Sequence, residues 1–254
     1  MPGAYYNEHD PYAAEWLRRL VAAGLIPAGD VDERDIRDVR RGDLVGHAQC
    51  HFFAGIAGWA LALRLAGWPD DQPVWTASVP CQPYSIASVA HGGAQGDRDS
   101  RDLWPIFFSL ARECRPPVLF GEQVPGAIGW GWWDRAALDL EGESYAAAAL
   151  ILRADAFGAR HERRRIYWMA DAGSERRPGH KPIQRFPLGA EAALAKYGDP
   201  LAGAGRALDG DLRDVLLSDG LSVAVERLRA RGYGNAIVPQ VAAEFVDAFM
   251  SAAE

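Results

Sequence analysis

Between Gln49 and Asp171, short runs rich in β-branched and aromatic residues alternate with amphipathic stretches of helical spacing, and this rhythm restricts the fold more than any other feature. Gln49 to Phe53 reads as a strand, Ala54 to Gly58 as a glycine-bearing turn, and Trp59 to Leu65 as a helix stopped by Gly67. Pro73 to Val79 is a second strand. Leu103 to Glu113 is a helix carrying Trp104, Phe107, Phe108 and Leu110. PPVLFGEQV is a strand that ends in an acid, Ser144 to Leu150 reads as a small-residue helix, and RRIYWMAD as a further strand. Strands separated by helices at this interval predict an α/β fold with a mostly parallel sheet.

The flanks differ. GAYY reads as a short strand, and a helix follows from Asp10, which can cap it; Pro11 suits its first turn and Gly24 its end. Beyond Ala172 the rhythm fails, and glycine, proline and charge dominate to about Gly210. Leu216 to Met250 is helical again, interrupted by RGYGNAIVP.

Composition narrows the function classes. A chain of 254 residues that is 49% hydrophobic builds one compact domain or one with a small appendage. No stretch approaches the roughly 20 apolar residues of a membrane span, and the acidic N-terminus does not read as a signal peptide, so a cytoplasmic protein without membrane contact is expected. The formal charge of -7 argues against a wholly polyanion-binding surface. Basic residues nevertheless cluster in RHERRR, Arg160 to Arg165, and again at Arg176, Arg177, Lys181 and Arg185, a local face compatible with nucleic acid. The three cysteines, Cys50, Cys81 and Cys114, have no disulfide or zinc spacing. Cys50 and Cys114 read as small buried hydrophobes, and no metal site is expected.

In an open α/β sheet, ligands bind beyond the carboxyl ends of the strands. Four features fall there: Gly55 and Gly58 in the turn after the Gln49 strand, Cys81 in VPCQPYS after the Pro73 strand, Glu122 at the end of PPVLFGEQV, and the pair Arg163 and Arg165 before the Ile166 strand. A cysteine, a carboxylate and two arginines at one sheet edge make a poor core and a reasonable site. The glycine turn alone is a weak signal, because its spacing is not that of the dinucleotide fingerprint.

At these residues the chain resembles the DNA cytosine-5 methyltransferases. FFAGIAGW is similar to the family's glycine turn at the methyl donor. PCQPYS is similar to its nucleophile loop, and GEQV to its glutamate-asparagine-valine motif with Gln123 in the asparagine place. HERRR resembles its glutamine-x-arginine-x-arginine motif with His161 replacing glutamine, and GNAIVP its late asparagine motif. The family's ribose-holding acid and adenine-reading aspartate normally follow the glycine turn. Here NEHDPYAAEW and GDVDERD resemble those pieces but precede it, so a local permutation is expected: the second strand and its helix come first, and the first strand comes third.

The resemblance implies a Rossmann-like S-adenosylmethionine-dependent methyltransferase fold with a small irregular recognition lobe. It implies a catalytic domain over residues 1–171, a short recognition region over 172–230, and a return to the catalytic domain over 231–254. It implies methylation at C5 of cytosine in double-stranded DNA with S-adenosyl-L-methionine as donor, on a flipped base. Cys81 would be the nucleophile, Glu122 the acid near N3, Arg165 the donor to O2, and Arg163 a brace for the loop or a phosphate. The donor pocket would use Phe53, Gly55 and Gly58, with Glu8 on the ribose, Asp30 on the adenine edge, and Leu103 and Asn235 closing it. Gln82, Ser85, His161, Arg176, Arg177, Lys181 and Arg185 would face DNA. A monomer without an obligate protein partner is expected, and so compact a form suits a phage or mobile element. Two alternatives stand beside this reading: C5 modification of another or already modified pyrimidine or of RNA, and a non-catalytic DNA-binding protein on the same fold.

Overall fold

The computed structural model describes residues 3–80, 102–157, 163–173 and 237–253. Seven strands form one sheet in the order β2-β1-β3-β4-β5-β7-β6. They are β1 (Ala4–Asn7), β2 (Gly29–Asp32), β3 (Gln49–Phe52), β4 (Val74–Ala77), β5 (Val118–Gln123), β6 (Ala146–Arg153) and β7 (Arg164–Asp171). All neighbouring pairs from β2 across to β5 are parallel, and β7 runs antiparallel to both β5 and β6.

The third strand in the chain, β3, lies inside the sheet between β1 and β4. A doubly wound sheet commonly runs 3-2-1-4-5 from its edge; here β2, β1 and β3 fill the places of its third, second and first strands. The expected permutation is therefore present in the topology. Asp32 ends β2 at the open edge, and two further elements, a 3-10 turn (Ile36–Asp38) and the short helix α2 (Arg41–Leu44), carry the chain from there to β3.

Alternation along the strands sorts side chains into two layers. On one face Cys50, Phe52, Trp75, Leu119 and, from β7, Trp168 meet α4 (Trp104–Cys114) and α5 (Trp132–Gly142) through Phe107, Trp104 and Trp132. Trp104 packs edge-on against Trp132 and Trp168, with centroids 5.3 and 5.6 Å away. On the other face α1 (Pro11–Ala22) and α3 (Gly58–Leu65) cover Ala4 and Tyr6. The C-terminal helix α6 (Pro239–Ala253) lies there too, its Phe245 and Phe249 against Phe120. Cys50 is fully buried, and Cys114 is partly so.

Helix ends follow local chemistry. Asp10 caps α1, its Oδ1 accepting from Tyr12 N at 2.9 Å and Ala13 N at 3.2 Å. Gly24 and Gly67, with φ of 69° and 81°, turn the chain out of α1 and α3.

One expectation fails. Ser144 to Leu150 is not a helix: Ser144 and Tyr145 precede β6, and Ala146 opens that strand. The alanine run favours helix by intrinsic propensity, but Ala146 to Arg153 pairs residue for residue with β7, and the ladder overrides propensity. The helix of this region is α5, just upstream. The helix expected from Leu103 instead begins at Trp104, with Leu103 as its flanking residue.

Candidate active site

The carboxyl ends of β1, β3, β4 and β5 and the amino end of β7 share one edge of the sheet. Main-chain bonds continue past the strands there: Glu8 N to Asp32 O (3.0 Å), Ala54 N to Asn7 O (3.1 Å) and Ser78 N to Phe52 O (3.4 Å). Beyond Phe52 the backbone takes positive φ at Phe53 (53°), Gly55 (55°) and Ala57 (73°). Two of these three are not glycine, and such strain gathers at ligand sites. Within the turn, Ala54 N donates to Asn7 O and Ala57 N to Ala54 O.

Glu8 holds this turn. Its Oε2 accepts from Gly55 N at 2.7 Å, and its Oε1 accepts from Asp10 N at 2.9 Å. A carboxylate has about four acceptor positions, so these two bonds leave room for further donors. Burial pushes the Glu8 carboxyl up, opposed by the two backbone N–H groups.

Gly58 has a packing role. A Cβ there would lie 1.8 Å from Ile237 Cγ2, so the bare backbone admits the lead-in to α6. Leu103 packs against the aromatic layer beside α4. Asp30 stands level with Tyr5, two residues before β2 ends; its side chain is 82% exposed and bonded to His47 Nε2 at 3.1 Å. Asp32, at the strand end, accepts from Tyr5 Oη (2.5 Å) and Arg34 Nη2 (2.6 Å). Burial acts to raise the Asp32 carboxyl, but hydrogen bonds from Arg34 and Tyr5 outweigh it and bring it down to about 2.

Three strands away lies the second half of the site. Glu122 is buried on β5, opposite Tyr167 of β7. Its Oε1 faces Arg165 Nε at 2.7 Å and Arg163 Nη2 at 3.5 Å. Desolvation pushes the Glu122 carboxyl up; the two guanidiniums pull it down without cancelling the shift. The residue at this position is thus a carboxyl whose protonated form is favoured by burial, next to two fork-shaped donors.

Two contributors are not evident from the sequence alone. Buried Gln123 donates from Nε2 to Val79 O (3.3 Å) and accepts from Val124 N at Oε1 (2.9 Å), tying β5 to the chain two residues before Cys81. Buried Asn7 donates to Asp32 O (3.3 Å) and Arg34 O (2.9 Å), fixing the exit of β2 beside Glu8. Each is an amide adjoining an acid at a strand end, and that adjacency is the available signal. Cys81, Gln82, Ser85, His161, Arg176, Arg177, Lys181, Arg185 and Asn235 lie outside the described residues. No group of three His, Cys, Asp or Glu among the described residues is placed to hold a metal ion.

Residues 66–199, more than half of the chain, match the family profile of the C-5 cytosine-specific DNA methylases. The chain belongs to this family. Among curated proteins, this chain is 31% identical over 94 residues to the type II methyltransferase M.AplI of Arthrospira platensis; the match takes in 36% of the chain and spans 26% of that protein's length. Among solved structures, the Entamoeba histolytica methyltransferase EhMeth superposes with a TM-score of 0.53 and 13% identity, covering 100% of this chain and 99% of that one, a likeness of fold. The Spodoptera frugiperda DNMT2 mutant superposes at 0.43 and 12% identity, over 74% of this chain and 56% of that one, a score on which nothing rests. Glu122, Arg163 and Arg165 fall within the residues that match the family profile; Glu8 and the glycine turn precede them.

Proposed function

We propose that this DNA methylase transfers a methyl group from S-adenosylmethionine to C5 of cytosine in duplex DNA, on a base turned out of the helix. The observation that carries the reading is Glu122, a buried carboxyl aligned by Arg165 at 2.7 Å at the sheet edge where the chain runs toward Cys81.

Cytosine C5 is too weak a nucleophile to attack a methyl sulfonium unaided. In the proposed mechanism the Cys81 thiolate adds at C6, forming a C–S bond and pushing the ring electrons toward C5 and N3. Glu122, protonated, donates to N3 and offsets the charge that develops there. Arg165 donates to O2, and Arg163 keeps Glu122 from drifting out of line. C5 would then bond to the methyl group as the methyl–sulfur bond of the donor breaks and S-adenosylhomocysteine is released; water or hydroxide takes the C5 proton, the C5–C6 double bond reforms, and Cys81 leaves as thiolate.

The donor would sit against the turn Phe53 to Ala57. The spare acceptor positions on Glu8, which holds that turn through Gly55 N, suit the two ribose hydroxyls. The adenine contact expected at Asp30 does not fit this geometry: Asp30 lies level with Tyr5, two residues before β2 ends, and its carboxylate is bonded to His47, which precedes β3. S-adenosylmethionine supplies an electrophilic methyl group when bound. Duplex DNA carrying 5-fluorocytosine tests the reading: fluorine at C5 cannot leave as a proton, so a covalent protein–DNA species should accumulate with wild type and be absent with Cys81→Ala. No such species with wild type would reject the covalent route.

A further inference from the structure

The segment directly after Glu122 and Gln123 carries exposed apolar side chains on a rigid support. Residues Pro125–Trp130 form a 3-10 turn closed by Ala127 N to Val124 O (3.1 Å) and Gly131 N to Ile128 O (2.8 Å). Ala127 is fully buried and Gly131 takes φ 68°, which fixes the turn at both ends. What it presents outward is Ile128, 48% exposed, and Trp130, 51% exposed. Two large apolar side chains within three residues thus stand exposed on an ordered turn next to the Glu122 strand.

The surroundings say what kind of partner. β5 ends at Gln123 beside the start of β7, where Arg164 is exposed and pairs in register with Arg153 at the end of β6. The turn that carries Ile128 and Trp130 begins three residues after Glu122 and packs against β7, whose first residue is the exposed Arg164. A duplex that has given up one nucleotide offers the complement: an unstacked, flat base-pair face, flanked by phosphates.

We infer that Trp130, supported by Ile128, packs against duplex DNA at the gap left by the extruded nucleotide, with Arg164 on a neighbouring phosphate. This rests on the DNA-methylation reading above and adds a contact surface to it. Aromatic stacking on a base tolerates sequence, because every base has a flat face, so the contact would serve extrusion and not the choice of target. The energetic logic is that of side chains wedged between base steps, which offset the loss of stacking.

The test compares binding of a mixed-sequence duplex with the same duplex carrying one abasic site, for wild type, Trp130→Ala, Trp130→Phe and the control Leu138→Ala on α5. Wild type should favour the abasic duplex. Trp130→Ala should bind it about ten-fold more weakly, the scale of one lost stacking contact, and lose the preference. Trp130→Phe should keep most of it, and Leu138→Ala, an exposed apolar residue away from the turn, should match wild type. Donor affinity and melting temperature should be unchanged in all four. Equal binding by Trp130→Ala and wild type would overturn the inference while leaving the methylation reading intact. So would a lowered melting temperature with unaltered DNA binding, which would make Trp130 a contact within the chain, or a change in oligomeric state, which would make it a contact between copies. Failure of wild type to bind either duplex would remove the methylation reading itself.

Discussion

Glu8 Oε2 accepts a hydrogen bond from Gly55 N at 2.7 Å, joining residues 47 positions apart. The bond locks the end of β1 to the turn after β3. It is how the permuted order still builds one pocket edge: neighbours in the sheet, and not neighbours in the chain, supply the acid and the glycine turn.

Glu8→Ala should weaken S-adenosylmethionine binding by roughly 1–3 kcal/mol, the scale of lost charge-assisted hydrogen bonds. Asp70→Ala should not, because Asp70 is engaged by Arg64 at 2.6 Å beyond the far end of α3. Titration calorimetry on both variants checks this. An effect carried by Asp70 and not Glu8 would mean that the donor lies elsewhere.

Glu122→Gln should slow single-turnover methylation by about 10²–10⁴, the usual reach of a positioned acid. The pH dependence has a definite sign. Burial raises the Glu122 carboxyl, and the working form is protonated, so the rate should fall as pH rises through that raised value. Arg165→Ala removes a nearby positive charge, so the falling limb should move to higher pH. A pH–rate profile for wild type and the two variants reads all three effects. A limb that survives in Glu122→Gln belongs to another group.

His51 lies in the core, with Nδ1 2.8 Å from Thr76 Oγ1 and Nε2 3.2 Å from Gln49 Oε1. Burial lowers its pKa to about 3, against roughly 6.5 in an unfolded chain. The folded state keeps His51 neutral while the unfolded state binds the proton, so stability is full above about 6.5 and is lost as pH falls toward 3. His51→Gln should flatten the slope of unfolding free energy against pH by up to about 1.4 kcal/mol per pH unit within that window. Urea melts at several pH values would show it; parallel slopes for variant and wild type would contradict it.

Gly121→Ala should destabilise the fold by about 1–3 kcal/mol, the cost of overpacking a close-fitted core. A Cβ there would lie 2.1 Å from the buried Trp168 indole. Gly129→Ala, with open space at its Cβ, should have little effect on stability. Thermal melts of the two variants make the comparison.

Much of this architecture is legible in the sequence because it is written locally. The acid at the end of PPVLFGEQV, the glycine turn and the capped helix from Asp10 each declare themselves within a few residues. The permutation is legible because NEHD and GDVD keep their form although their order has changed. Contacts across long separations are not legible: nothing in GEQV says that Gln123 reaches Val79, 44 residues earlier. The alanine run at β6 misleads for a related reason, since its conformation is decided by pairing with β7 and not by its own composition.

Cytosine methylation at C5, as proposed, leaves a product that can be read directly from DNA. Incubation of the purified protein with S-adenosylmethionine and duplex DNA, followed by nucleoside mass spectrometry, tests it most directly. The account predicts 5-methylcytosine with wild type and none with Cys81→Ala. A different modified nucleoside, or 5-methylcytosine formed equally by Cys81→Ala, would contradict it.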